Sequence, residues 1–115
     1  MPGDRKMGYC VLEYRPEPWT KPLESPAPVF MLVLIEGDGF QFFLNPDWRE
    51  FVREEDLRYI ELFIPDLKER AQQFPRELYD QLSSLSLGPL VTAEVGSNLF
   101  ERPSFRDLPS QFDRL

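Results

Sequence analysis

Histidine is absent from these 115 residues, and cysteine occurs once, as Cys10. Histidine exchanges protons nearest neutral pH and is the commonest metal ligand. Without it the chain has no Ser-His or Cys-His nucleophile pair, no usual zinc or iron site and no histidine-based pH sensor. One cysteine forms no internal bridge. Glycine-rich phosphate cradles are missing as well, since neither G-x-G-x-x-G nor G-x-x-x-x-G-K-[ST] occurs. The longest apolar run, Val29 to Ile35, is far too short to span a bilayer. Met1 to Gly8 is polar and charged, unlike a secretory leader, so a reducing cytoplasm is expected. No cofactor, metal or membrane contact is anticipated.

Large apolar side chains are what the chain has in quantity. Ten phenylalanines, four tyrosines and two tryptophans supply one core in a single domain. Each such side chain, fully buried, contributes roughly 1.5–3 kcal/mol, so the core needs no disulfide or metal staple. Net charge is −7, and its excess lies between Val29 and Gly96, where thirteen acids face six bases. A surface of that sign repels phosphate backbones, which argues against nucleic acid as a partner. Such acidity is ordinary for a bacterial protein and keeps it in solution; attraction of a basic partner to the acidic face is the sharper reading.

The chain divides into residues 1–28, 29–96 and 97–115. In the first zone, Tyr9 to Tyr14 reads as a short strand from its aromatic and β-branched content. Pro16, Pro18, Pro22, Pro26 and Pro28 then impose extended backbone, with Trp19 expected against the domain surface. No P-x-x-P spacing is present, so a ligand for SH3 domains is not indicated.

The second zone is read as the α+β body. Val29 to Ile35 is apolar at every position, which places it mid-sheet beneath helices. Glu36-Gly37-Asp38-Gly39 follows, with Asp38-Gly39 supplying positive φ in a hairpin turn to the return strand Phe40–Leu44. Asn45 is expected to cap a helix with Pro46 at its first position. Leu57, Ile60, Ile64, Leu67, Ala71 and Phe74 recur at helical spacing across Pro65, predicting one kinked helix rather than two. Pro75 opens a further helix whose apolar side is Leu78, Leu82 and Leu85, with Gly88-Pro89 as the stop. Leu90 to Val95 alternates: Val91, Ala93 and Val95 on one side, Leu90, Thr92 and Glu94 on the other. The fold class expected is a small antiparallel or mixed sheet around the hairpin 29–44, packed by two to three helices.

The third zone reads as an arm or tail. Ser104-Phe105-Arg106-Asp107-Leu108 and Ser110-Gln111-Phe112-Asp113-Arg114-Leu115 are near-copies of one phrase, divided by Pro109. Phe100, Phe105, Leu108, Phe112 and Leu115 are too apolar for a plain disordered tail, and some surface should cover them. The parent domain, a second copy or another protein would each serve. Arg102, Arg106 and Arg114 suit docking onto the acidic body.

Candidate chemistry is sparse. Glu36 and Asp38 are accounted for by turn chemistry, and Glu54, Glu55 and Asp56 by the dipole of a helix start. Catalysis by two acids needs more converging groups than these spacings offer. Cys10, in an apolar strand, is expected to be buried and inert. Ser83, Ser84 and Ser86 lack a nucleophile elbow and read as helix-end residues. Arg49, Arg53 and Arg58 lie near one helix start, where they could hold an anionic ligand or pair with Glu50, Glu54 or Glu55. The stripe from Leu57 to Phe74, with Tyr59, Leu62 and Phe63 beside it, is apolar over a wide face, as a sheet contact or a dimer seam would require. The expectation is a non-enzymatic protein-interaction protein, self-associating or acting as an adaptor or regulatory subunit. Its partner-binding residues would be Phe100, Phe105, Leu108, Phe112 and Leu115. The alternative is a small-molecule binder or enzyme with an aromatic, arginine-containing pocket.

Overall fold

The structure is a computed structural model that describes residues 7–16, 28–37, 39–85 and 88–115. Trp19, Pro18, Pro22 and Pro26, and the extended conformation expected of that segment, lie outside the described residues, as do Asp38 and Ser86. In chain order the elements are β1 (Met7–Tyr14), β2 (Val29–Glu36), β3 (Gly39–Leu44), α1 (Trp48–Phe51), α2 (Glu54–Gln73), α3 (Pro75–Ser83), β4 (Leu90–Gly96), a 3-10 turn (Leu99–Glu101), α4 (Leu108–Gln111) and β5 (Asp113–Arg114). The five strands form one antiparallel sheet in the order β4-β1-β2-β3-β5. This is an α+β fold. Among the described residues no helix is long and apolar enough to cross a membrane.

β2 is the central strand, which its uninterrupted apolar run demands: both of its faces are covered. The two longer helices, α2 and α3, cover only one of them. Met31, Val33 and Ile35 meet Cys10, Leu12 and Tyr14 of β1 and Phe42 and Leu44 of β3 under Ile60, Leu67, Leu78 and Leu82. On the opposite face Leu32 joins Tyr9, Val11 and Phe43, and the lid there is the chain's own C-terminal segment, through Leu99, Phe105, Leu108 and Phe112. β2 thus lies under α2 and α3 on one face and, on the other, under α4 and the segments on either side of it.

Local details correct several other expectations. Glu36 pairs with Gly39, and the positive φ of 59° falls on Gly37 rather than on Gly39. Asn45 does not cap a helix. Its Oδ1 accepts the Asp47 N–H at 2.9 Å, and its Nδ2 donates to the Val29 carbonyl at 2.9 Å. That Asx turn, closed by Trp48 N–H to Asn45 O, delays the helix to Trp48. α2 runs unbroken through Pro65, as the phase of its apolar stripe requires, and stops at Phe74. Phe74 precedes proline, which disfavours the helical region and turns the chain into α3. The end of α3 comes at Ser83, well before Gly88, whose φ of 65° instead shapes the turn into β4.

β4 does not keep a simple alternation. Val11 pairs with Glu94 but Leu12 pairs with Thr92, so Ala93 is an extra, bulged residue. The bulge reverses phase: Leu90 and Thr92 face the helices, whereas Glu94 joins Tyr9 on the other side. The two near-copies of the C-terminal phrase also diverge, the first ending in the turn into α4 and the second forming β5 against Phe43 and Leu44.

Candidate functional site

The widest apolar stripe in the sequence is also where apolar groups meet solvent. α2 turns Ile60 and Leu67 to the sheet, fully buried, while Leu57, Phe63, Ile64 and Ala71 are half-buried at the edges of that contact. Tyr59 and Leu62 then project away from the sheet and remain 43% and 64% exposed. Phe74, at the corner into α3, is 52% exposed. Between the two helices runs a cleft of about 800 Å³, floored by Tyr59, Leu62, Phe63 and Leu85. Asp66, Arg70, Asp80 and Gln81 form its polar side. A narrower recess of about 480 Å³ continues it along Glu69, Gln73, Phe74 and Glu77.

The only base lining either part, among the described residues, is Arg70, and it is already engaged. Its Nε lies 3.0 Å from Asp66 one helical turn earlier, and its Nη1 donates to Gln81 Oε1 at 2.8 Å. That second bond ties α2 to α3 across the cleft. Gly88 approaches the rim, where the Tyr59 ring lies 3.6 Å from the position a Cβ would take. The hydrophobic stripe gave a signal for this surface through Tyr59, Leu62 and Phe63; the pairing of α2 with the acidic flank of α3 had none.

The five C-terminal candidates do not form one exposed surface. Leu108 is buried, and Phe105 and Phe112 are half-buried against Tyr9, Val11, Leu32 and Phe43. Leu115 sits at the margin, 36% exposed, its N–H donating to Phe42 O at 2.9 Å. Phe100 stands apart at 75% exposure, set outward by a turn in which Asn98 Oδ1 accepts the Phe100 N–H. The arm is held at its root by charge. Glu94 accepts the Tyr9 hydroxyl at 2.6 Å and pairs with Arg102 at 2.7 Å, and the Arg102 guanidinium lies 6.0 Å from the Phe105 ring centre. Of the three arm arginines, Arg102 thus reaches the body; Arg106 and Arg114 are exposed.

The α1–α2 arginines are spread out. Arg49 lies over the Trp48 ring and pairs with Glu61 at 2.7 Å. Arg53 lies 3.7 Å from Glu55, its N–H donating to the Tyr14 hydroxyl. Arg58 is exposed, and none of the three lines the α2–α3 cleft. Asp56 accepts the Tyr14 hydroxyl at 2.6 Å, and that phenol fastens the start of α2 to the sheet.

Cys10 is 1% exposed and its thiol donates to Leu82 O at 3.2 Å; burial pushes its pKa to about 12, which suppresses the reactive thiolate. Ser83 and Ser84 donate back to Tyr79 O and Asp80 O, a common use of serine at a helix end. Among the described residues no group of three or more histidine, cysteine or acidic side chains is arranged to hold a metal. No protein family, curated protein or solved structure matches this chain.

Proposed function

We propose that this chain is a small acidic protein that works by binding another protein or a second copy of itself, as an adaptor or regulatory subunit in the cytoplasm. The observation that carries the reading is the group of exposed apolar side chains, Tyr59, Leu62 and Phe74, around a cleft between two helices. A helix whose task ended at covering a sheet would show water a polar outer face. Tyr59, Leu62, Phe63 and Leu85 form an apolar surface at one end of the cleft, rimmed by polar groups, as contact sites are. Phe100 and Leu115 extend the reading to the end of the arm, because Phe105, Leu108 and Phe112 are occupied in holding it to the sheet. The net charge of −7 favours a protein over a nucleic acid as the partner.

Truncation before residue 99 would uncover Tyr9, Val11, Leu32 and Phe43, so point substitutions make the cleaner test. Leu62→Glu and Phe100→Ser change exposed positions. Light scattering on the full-length protein, with affinity capture from extract of the source cells, should show an assembly that at least one of them dissolves while the circular dichroism spectrum stays unchanged. A chain that remains monomeric, with no captured protein sensitive to either substitution, fails the reading.

A small-molecule reading has one observation in its favour. The same cleft falls within the roughly 300–1,000 Å³ of ligand sites and sets Tyr59 and Phe63 beside Arg70. It moves the anion-binding role from Arg49, Arg53 and Arg58 to Arg70. A thermal-shift screen with anionic metabolites separates the two: a ligand-dependent rise in melting temperature, lost in Arg70→Gln, supports the pocket.

A further inference from the structure

We infer that the α2–α3 cleft takes a basic amphipathic helix, an apolar stripe flanked by lysine or arginine. The inference rests on the protein-binding reading and specifies the partner's chemistry. Four acids line the cleft and its recess, Asp66 and Glu69 from α2 and Glu77 and Asp80 from α3; Arg70 offsets Asp66, and Glu69, Glu77 and Asp80 leave negative charge on both helices. Arg70 offers an incoming anion little, because Asp66 and Gln81 already engage it. Arg58, Lys68 and Arg76, the other bases on these helices, do not line the cleft. An acidic partner would therefore meet repulsion from both helices, whereas a basic one is attracted to Glu69, Glu77 and Asp80.

Shape agrees with charge. From Tyr59 to Gln73, α2 runs ~21 Å at ~1.5 Å per residue, the length of a helix of about 15 residues. The apolar floor of Tyr59, Leu62, Phe63 and Leu85 lies at one end and Phe74 at the other, with the acids between and beside them. Apolar anchors at helical spacing would seat on the floor, and flanking ammonium or guanidinium groups would reach Asp80 and Glu77. This is recognition of a helix in a groove, with electrostatics setting the choice of partner.

The test uses the full-length protein and fluorescein-labelled amphipathic peptides of about 15 residues. They share one leucine stripe and differ only in whether lysine, glutamine or glutamate flanks it. Fluorescence anisotropy is expected to show saturable binding of the lysine peptide, weakened by added salt and by about tenfold or more on changing to glutamate. Glu77→Gln with Asp80→Asn should weaken the lysine peptide about fivefold, and Leu62→Glu should abolish binding, all at exposed positions whose effect on folding circular dichroism monitors. Equal binding of all the peptides, or binding indifferent to the Glu77 and Asp80 changes, overturns the basic-partner inference while leaving protein docking in place. Absence of saturable binding by any peptide, with self-association and protein capture unmoved by Leu62→Glu, overturns both. A dimer that Leu62→Glu dissociates assigns the cleft to a second copy, and displacement of the probe by a synthetic peptide of residues 17–27 assigns it to this chain. Either result also overturns the inference.

Discussion

The Tyr9 ring lies across Gly96, its partner on the neighbouring strand, so closely that a Cβ on Gly96 would come within 2.5 Å of the ring and its hydroxyl. Tyr9 has no room to yield, being 3% exposed and bonded to Glu94. Alanine normally suits a strand better than glycine. Here Gly96→Ala is expected instead to cost about 1–3 kcal/mol by overpacking, measured by urea unfolding. Most of that loss should vanish in a Tyr9→Leu background. An unchanged or higher midpoint for the single variant refutes the contact.

Glu94 and Arg102 form one ion pair but should not be equivalent. Arg102 is half in water, and its loss in Arg102→Ala is expected to cost under about 1 kcal/mol. Glu94→Ala also strands the buried Tyr9 hydroxyl, which adds about 1–3 kcal/mol. Thermal unfolding of the two variants side by side gives the order, and a larger loss from Arg102→Ala would contradict it.

Among the described residues, three groups should make alkaline pH destabilising. Burial first, then hydrogen bonding to Glu94 and to Asp56 respectively, pushes the Tyr9 and Tyr14 phenols from 10.0 up to about 12. Burial alone carries the Cys10 thiol from 9.0 to about 12. Each folded-state value lies above the unfolded one, so the folded chain holds its protons more tightly. The stabilisation is complete below pH 9 and is lost as pH rises towards 12. Ultraviolet titration should find late phenol ionisation that Tyr9→Phe and Tyr14→Phe each reduce. Tyr9 and Tyr14 phenols that ionise near 10 in the folded protein would refute this.

Cys10 should report global unfolding. With 1% exposure and a suppressed thiolate, it is expected to resist a disulfide reagent in native buffer and to react at the unfolding rate. Raising the reagent concentration should then leave the rate unchanged. A rate that climbs with reagent in the folded state would show direct access.

Leu108 holds the arm down. Leu108→Ala is expected to cost about 2–3 kcal/mol and to speed amide exchange across residues 99–112 ahead of the helices. Uniform loss of protection over the whole chain would show that the arm and the sheet open as one unit.

The course of α2 was legible because a helix announces itself by local period: the stripe from Leu57 to Ala71 keeps phase through Pro65, and residues three or four apart share a face wherever the helix lies. The hairpin was legible for the same reason, although its positive φ fell one position before the expected pair, on Gly37. Asn45 was misplaced because its side chain had two uses. The carbonyl of Val29, sixteen residues away, helped select the Asx turn over the helix cap. At the candidate site, Tyr59, Leu62 and Phe63 stood out as surplus apolar bulk, but their acidic border did not. Asp66 and Asp80 become neighbours of one cleft only when α3 folds back beside α2.

By itself the sequence determined the local backbone: the strand that must be covered on both faces, the turn after it, the helices that begin after Arg53 and at Pro75. Periodicity, proline geometry and turn chemistry act over a few residues and need no distant partner. Only the tertiary structure decided that β4 lies beside β1, that Ala93 bulges so that Glu94 reaches Tyr9, and that the final seventeen residues close the open face of the sheet. Those choices join residues more than 50 positions apart. They depend on how complementary surfaces fit once assembled, and no short window of sequence contains both halves of the fit.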